Sequence, residues 1–522
     1  MRANLTVAAG TAVSRITGVV RVAVLGAVLG TPSAVADAYD LANSTPNMIY
    51  ELLMGGILSS SLVPLFTRLR DADDDDGANA VTTATLLAVS VITVAAVALA
   101  PFIFHLYSLL TADTVDAGEY RKVGALLARI FLVQIFFYGL NSLWSVALNA
   151  RRRFFAAAWA PALSNVVIIG SLLLVPSITN GVEPSLRDVI DSPRLQWVLG
   201  GGATLGIAVM ALALLPAVLA AGIRYRPNFD FSHHAVRTLR TMSGWALGYV
   251  VANQVALVVV RNLLRGGDGS VFAYSRAYLW FVLPHGLLAV SIATTFLPEM
   301  SSAVARNDSA ALVEHTSLGI RLITLVTLPA GFGLFVLRRS IIGAAFEHGK
   351  VTAADALVTS RALAGFALGL TAFSIYLFTL RMFYASYDAR TPFFLNLFEN
   401  VVNIVLALLL VDRYGLLGLA ASFAIAYGVS ALLTLVVAAR RTDGFDLAPL
   451  LARLGRMLVA AVLMALCVLA TARVVGGNTG AAAVVRLLAG TAVGVATYLA
   501  ALVALRVPEV AQLRRQIGRA HV

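Results

Sequence analysis

The chain has 522 residues, of which 59% are hydrophobic and 13% charged, and its mean hydropathy is +0.85. A soluble globular chain is about 45–50% apolar and about 25% charged, so a string of soluble domains is excluded and an all-α polytopic membrane protein is implied. The 39 Lys+Arg against 27 Asp+Glu give +12, an excess that in a membrane protein marks cytoplasmic loops and anionic ligands rather than nucleic acid.

About 20 apolar residues cross a bilayer, and that window finds about 14 candidate spans. They centre near Ala23, Leu53, Ile92, Phe136, Ile169, Val209, Val251, Leu287, Thr327, Phe373, Val405, Ala424, Val462 and Val495. The connecting loops fall into two alternating sets, one with about 20 Lys/Arg and one with about 12; the richer set, which includes both termini, is expected to be cytoplasmic. Cys467 is the single cysteine, which excludes a disulfide framework. Arg15 and Arg21 interrupt the N-terminal apolar stretch, and no cleavage pattern follows, so it is expected to stay as the first span.

Span one carries Ser14, Arg15, Thr17, Gly18 and Arg21. Helical spacing puts Ser14, Gly18 and Arg21 on one face, with Arg15 near enough to share a cavity. A charge within a span costs about 2.5–3.5 kcal/mol on insertion scales, so a polar cavity or a partner is expected there. Paired guanidinium forks suit phosphate or pyrophosphate oxygens; the alternative is snorkelling to the interface. Asp37 opens span two near Asp40 and Asn43 and reads as a gate partner or a proton site. Pro46, Gly55 and Gly56 break that span, and Pro284-His285-Gly286 breaks span eight, as in helices that line a cavity. Arg261 and Arg265 end span seven, and Arg276 opens span eight as a second cavity cation or an interface anchor. Arg129, Arg321 and Arg381 read as pairing or interface residues.

The segment 57–69 resembles 291–303, with Pro64 matching Pro298, and 148–167 resembles 383–402, with Asn165 matching Asn400. The offsets are 234 and 235 residues. Six spans separate the matching elements, so the halves are expected to form a parallel repeat. The expected organisation is a lobe over 1–222, a second over 223–440, two further helices over 441–506 and a basic tail over 507–522. His233-His234 has no Glu at catalytic spacing and reads as a solvated pair. The acidic run 71–76 lacks the glycine and glutamate of a calcium loop. No metal or cofactor site is expected, nor an enzyme: there is no Walker A motif or nucleophile elbow.

The blocks SRITGVVR (14–21), ADAYDLANSTPN (36–47), SSSLVPLFTR (59–68), LNARRRF (148–154), LPHGLLAVSIATTFLPEMS (283–301) and FYASYDARTP (383–392) resemble the MurJ or MviN lipid II flippases. These belong to the superfamily of the MATE exporters and polysaccharide flippases. The resemblance implies a transporter of the bacterial cytoplasmic membrane that takes up lipid II, the undecaprenyl-pyrophosphate-linked peptidoglycan precursor, in a cationic cavity. It then presents the lipid at the outer leaflet by alternating access. It implies that Arg15, Arg21 and Asp37 bind substrate and that the last two helices form a groove for the lipid tail; the family's span-eight arginine aligns with Leu279, and Arg276, one turn earlier, is expected to reach the same space and bind substrate with them. Ser14, Gly18, Asn43, Pro46, Arg261, Pro284 and Gly286 are expected to line or gate the cavity. Coupling to the membrane potential or to a monovalent ion is expected, and partners among cell-wall synthesis proteins fit the same role. The chain departs from the family pattern at Val22, Tyr50-Glu51, Met54-Gly55-Gly56 and Leu279. Rival readings are a flippase for another polyprenyl-linked glycan, a MATE-like antiporter and a non-transporting scaffold.

Overall fold

The structure, a computed structural model, describes residues 2–30, 33–54, 65–66, 69, 72–151, 153–347, 351–386 and 388–509. Gly55, Gly56, Pro64 and the tail from 510 onward lie outside the described residues. Within them the chain is mostly helical, joined by turns and loops, with a single isolated bridge between Thr111 and Gly266. This is what an apolar solvent demands, because a helix satisfies its backbone groups internally.

Nine of the described helices are long and apolar enough to cross a membrane, or ten with the bent pair Ala353–Ala367 and Leu370–Ala385 counted as one span. The Arg390–Arg441 stretch is 52 residues, about 78 Å at 1.5 Å per residue and more than twice a bilayer core of about 30 Å. It breaks at Gly415, where φ is 55° and ψ −134°, and so holds both the Val405 and the Ala424 candidates. Polar residues cap the helices in the loops. Asp74 accepts from the Gly77 N–H at 2.8 Å, Asp116 from that of Glu119 at 2.7 Å, and Thr352 with Asp355 forms a capping box, each closing an otherwise unpaired first turn.

The chain divides into two compact units, Met1–Phe272 and Ala273–Val522. The repeat places its own division near 222; compactness places it later because the helix after that point packs with the first unit. In the first unit we label α1 (Arg2–Leu29), α2 (Ala34–Met54), α3 (Asp75–Ala98), α4 (Ala100–Tyr107), α5 (Ala117–Phe131), α6 (Gln134–Ala150), α7 (Phe155–Leu172), α8 (Gly202–Leu212) and α9 (His234–Leu263). Helix α1 lies on α7, α7 on α8, and α9 on α3, α2 and α4. Two apolar clusters hold the unit: Val81, Leu143, Val146 and Ala235 between α3, α6 and α9, and Leu148, Ala160, Ile207 and Met210 between α6, α7 and α8.

The second unit begins within α10 (Ser270–Pro284) and continues through α11 (Val290–Ala305), α12 (Ser309–Phe346), α13 (Ala353–Ala367), α14 (Leu370–Ala385), α15 (Arg390–Arg441), α16 (Leu447–Val474) and α17 (Gly480–Ala504). The last two helices pack on α12 through Leu325, Leu337, Met457, Met464, Val468 and Leu502. Arg321, expected to pair, lies 3.3 Å from the Glu509 carboxylate, which is 2% exposed, and Arg453 approaches the same group at 3.9 Å. A carboxylate so deep is tolerable only with cations beside it.

Candidate functional site

In the first unit, Asp37, Asp40 and Arg261 gather where α2 begins and α4 and α9 end. The Asp37 side chain is fully buried. Its Oδ2 accepts from the backbone N–H groups of Gly267 at 2.8 Å and Gly269 at 3.0 Å, and its Oδ1 accepts from that of Phe272 at 2.9 Å. Phe272 lies in the first turn of α10, so Asp37 caps that helix from 235 residues away, where the dipole favours an anion. The turn over 264–269 can present its amides because φ is +124° at Gly267 and +89° at Gly269, conformations open to residues without a Cβ. A Cβ at Gly267 would also strike the Val115 side chain.

The same turn is held from three further sides. Asn262 on α9 donates from Nδ2 to the Leu106 carbonyl at 2.9 Å, and its Oδ1 accepts from the Leu110 N–H at 3.1 Å. The Ala112 N–H donates to the Gly266 carbonyl at 3.1 Å. The Tyr107 hydroxyl donates to Gln254 at 3.0 Å, and buried Arg261 lies 3.5 Å from Asp40. This is a latch: one carboxylate, three backbone donors and an ion pair joining the end of α9 to α2 and α4.

The arginines of α1 sit apart from that latch. Arg15 is exposed and Arg21 half-buried, and Arg21 is an electrostatic neighbour of buried Tyr39. Ser14 and Gly18, expected on a cavity face with Arg21, line the seam against α7. There the Asn165 Nδ2 donates to the Ser14 carbonyl at 3.1 Å and to Thr17 Oγ1 at 3.0 Å. Asn43 accepts from Gln134 Nε2 at 3.3 Å, which also reaches Thr204, and Pro46 is buried in α2.

In the second unit Arg276 is 3% exposed, with its guanidinium carbon 4.8 Å from the Phe346 ring centre. Buried cations gain about 2 kcal/mol from such a face. The breaker at Pro284 and Gly286 appears as a wider π-type turn over His285–Ala289, and His285 Nδ1 lies 2.9 Å from Ser374 Oγ on α14. Such turns concentrate where helices serve a function.

The structure thus brings Asp37, Asp40 and Arg261 together, groups Ser14 and Gly18 with Asn165, and leaves Arg15 and Arg21 on α1. Asp37 meets backbone, with three N–H donors on its two oxygens. Gly267, Gly269, Asn262 and Gln134 were missed as site residues. The signal was present only as the GGDG run at 266–269 beside Arg265.

An all-helical polytopic membrane protein, in which a buried carboxylate latches one compact unit and cations line its first helix, has the build of a transporter. The model of the family described as lipid II flippase MurJ matches residues 25–490, and the chain belongs to that family. A probable lipid II flippase MurJ of Rhizobium meliloti is 28% identical over 465 residues, covering 88% of this chain and 84% of the relative. The Burkholderia cenocepacia lipid II flippase MurJ is 28% identical over 397 residues, covering 75% and 74%. A solved lipid II flippase MurJ in an inward closed conformation superposes with TM-score 0.75 at 22% identity, over 96% of this chain and 99% of that one. A multidrug MATE transporter of the MOP superfamily, inward-facing, gives 0.66 at 14% identity over 83% and 96%. The fold is therefore shared with both kinds of transporter.

Proposed function

We propose that this chain moves lipid II from the inner to the outer leaflet of the bacterial cytoplasmic membrane by alternating access. The carrying observation is the family match across 25–490 together with relatives described as lipid II flippases. The chemistry agrees with it. Arg15 and Arg21 supply cations with planar donor forks for a pyrophosphate, and Arg276 is a further cation for an anionic headgroup once it leaves the Phe346 face. Positive-inside orientation puts both termini in the cytoplasm and the Asp37 latch at the opposite end of the spans. Asp37 then acts as the outer gate, closed while its carboxylate holds the 264–272 amides. Opening requires those three donors to be surrendered, so release to the outside and closure are linked through one residue.

Outward movement of an anionic headgroup is favoured by an inside-negative potential, at about 2.3 kcal/mol per charge per 100 mV, and a monovalent ion is the other candidate drive. A MATE-like antiporter for cationic drugs would call for acidic walls where α1 offers arginines. The test is native mass spectrometry of the purified protein with lipid II, competed by undecaprenyl pyrophosphate bearing an unrelated glycan. Selective retention of lipid II, lost in Arg15→Ala/Arg21→Ala, is expected. Equal retention of both lipids by both proteins favours another glycan flippase or a scaffold.

A further inference from the structure

At the other end of the first unit from the latch, two helices begin side by side. Asp74 caps α3 and His233 caps α9, bringing Asp74, His233 and His234 together although 159 residues separate the first two. One ligand atom from each lies within 4.8 Å of the other two. The sequence offered only a histidine pair and an acidic run; the fold joins them.

Three observations distinguish this cluster from a hydrated loop. His233 Nε2 and Asp74 Oδ2 are 3.7 Å apart, too long for a hydrogen bond but close to the ~3.3 Å that separates two ligands on a tetrahedral metal with bonds near 2.0–2.1 Å. Gly77 lets the ring approach, since a Cβ there would stand 2.6 Å from His233 Cε1 and 2.5 Å from Asp74 Oδ2. The loop that delivers the histidines is fixed on α3. The Arg226 N–H donates to Asn79 Oδ1 at 3.0 Å, the Asn228 N–H to Thr83 Oγ1 at 3.0 Å and Asn228 Nδ2 to the Asp76 carbonyl at 3.1 Å, while the Tyr225 hydroxyl lies 3.0 Å from that of Thr83. An open cavity of about 620 Å³ fronts the cluster, and Asp76 and Asp230 on its wall outweigh the charge of Arg226.

We propose that Asp74, His233 and His234 form a binding site for a divalent transition metal that pins the start of α9 to the start of α3. Two imidazoles and one carboxylate suit zinc, nickel or copper rather than magnesium or calcium. Three protein ligands leave a fourth position for water, which the open cavity can supply. Ligation through Nε2 places the His233 proton on Nδ1, so the weak cap bond that Nδ1 accepts from the Ala235 N–H at 3.3 Å is given up.

The experiment uses the full chain in detergent with any affinity tag removed. It is titrated with Co²⁺ while the visible d–d absorption is recorded, and the Co²⁺ is then displaced by Zn²⁺. One equivalent is expected to bind, and Asp74→Asn or His233→Gln should each weaken binding by more than about 100-fold, beyond the loss seen when only outer-shell partners are changed. Asn still caps α3, which protects folding in the first variant. Gly77→Ala keeps all three ligands yet crowds His233, and it should lose affinity while the protein elutes as wild type on size exclusion. Zn²⁺ should also slow amide exchange over 225–237 in the wild type. Absence of the d–d band in wild type, or equal Co²⁺ affinity in wild type and all three variants, overturns the proposal. The readout is independent of transport, so it stands or falls apart from the flippase reading.

Discussion

Replacing Asp37 by Asn exchanges two acceptor oxygens for one and turns an N–H₂ group toward backbone donors. In the wild type three buried N–H groups, those of Gly267, Gly269 and Phe272, end on the carboxylate at 2.8 to 3.0 Å. Set at the Oδ2 position, the amide oxygen can retain the Gly267 and Gly269 donors, so the Phe272 N–H loses its partner and faces the new N–H₂ group in a site where Asp37 is 0% exposed. A buried donor left unsatisfied costs about 1–3 kcal/mol, which puts the loss at about 2 kcal/mol at mid-range. At 1.4 kcal/mol per factor of ten, the latch should open about 30-fold more often. Hydrogen–deuterium exchange of the peptide covering 264–272 reads this directly, with the Leu447–Val474 helix as an internal control in the other unit. Exchange over 264–272 is expected to accelerate at least 10-fold in Asp37→Asn while the control is unchanged. Unaltered protection of 264–272 would refute the reasoning, because it would mean that the carboxylate does not hold the turn.

Three further expectations follow from the geometry. Glu509→Gln removes the charge partner of Arg321, whose side chain is 14% exposed; leaving a buried charge unpaired costs about 3–5 kcal/mol, so the melting temperature should fall in a thermal-shift assay, whereas Arg453→Gln should change it little. Asn165→Ala removes both donors to Ser14 and Thr17 and should cost about 1–2 kcal/mol, read as faster exchange in α1 with α16 unaffected. In the 386–391 turn, burial raises the Asp388 carboxyl, but the Thr391 hydroxyl and N–H and the Arg441 guanidinium outweigh it and hold the group below its ordinary value. A depressed carboxylate stabilises the fold above the unfolded value of about 3.9 and loses that contribution as pH falls through the lower folded value. Protection over 383–395, corrected for the intrinsic pH dependence of amide exchange, should therefore be level down to about pH 4 and fall below it, and Thr391→Val should shrink that fall.

The sequence made some of this legible and hid the rest for physical reasons. Spans were readable because apolar length is a local property. Arg390–Arg441 reads as two spans by hydropathy, and Gly415 at φ 55° supplies the break. The Pro284-His285-Gly286 breaker was likewise readable, since proline and glycine act on their own backbone. Asp37 could be identified as a costly charge, but its partners are main-chain N–H groups 230 to 235 residues away, and every residue but proline has such a group. Arg276 was expected as a cavity cation; its neighbour Phe346 is 70 residues distant and one of 25 phenylalanines. Helical phase alone grouped Ser14 and Gly18 with Arg21, and it could not show that the face would be taken by Asn165 on α7. The acidic run and the histidine pair are both visible in the sequence, but their meeting is not, because it depends on two helices starting side by side.

The central claim is tested most directly by reconstituting the purified protein into vesicles carrying lipid II in both leaflets and measuring how much becomes accessible to an external headgroup-modifying enzyme over time, with and without an imposed potential. Wild type should expose the inner-leaflet pool, faster with a potential negative on the side from which the headgroup leaves, and Arg15→Ala/Arg21→Ala should leave that pool protected. Protection of the inner pool by wild type as complete as in empty vesicles, or undiminished translocation by the double variant, would contradict the account.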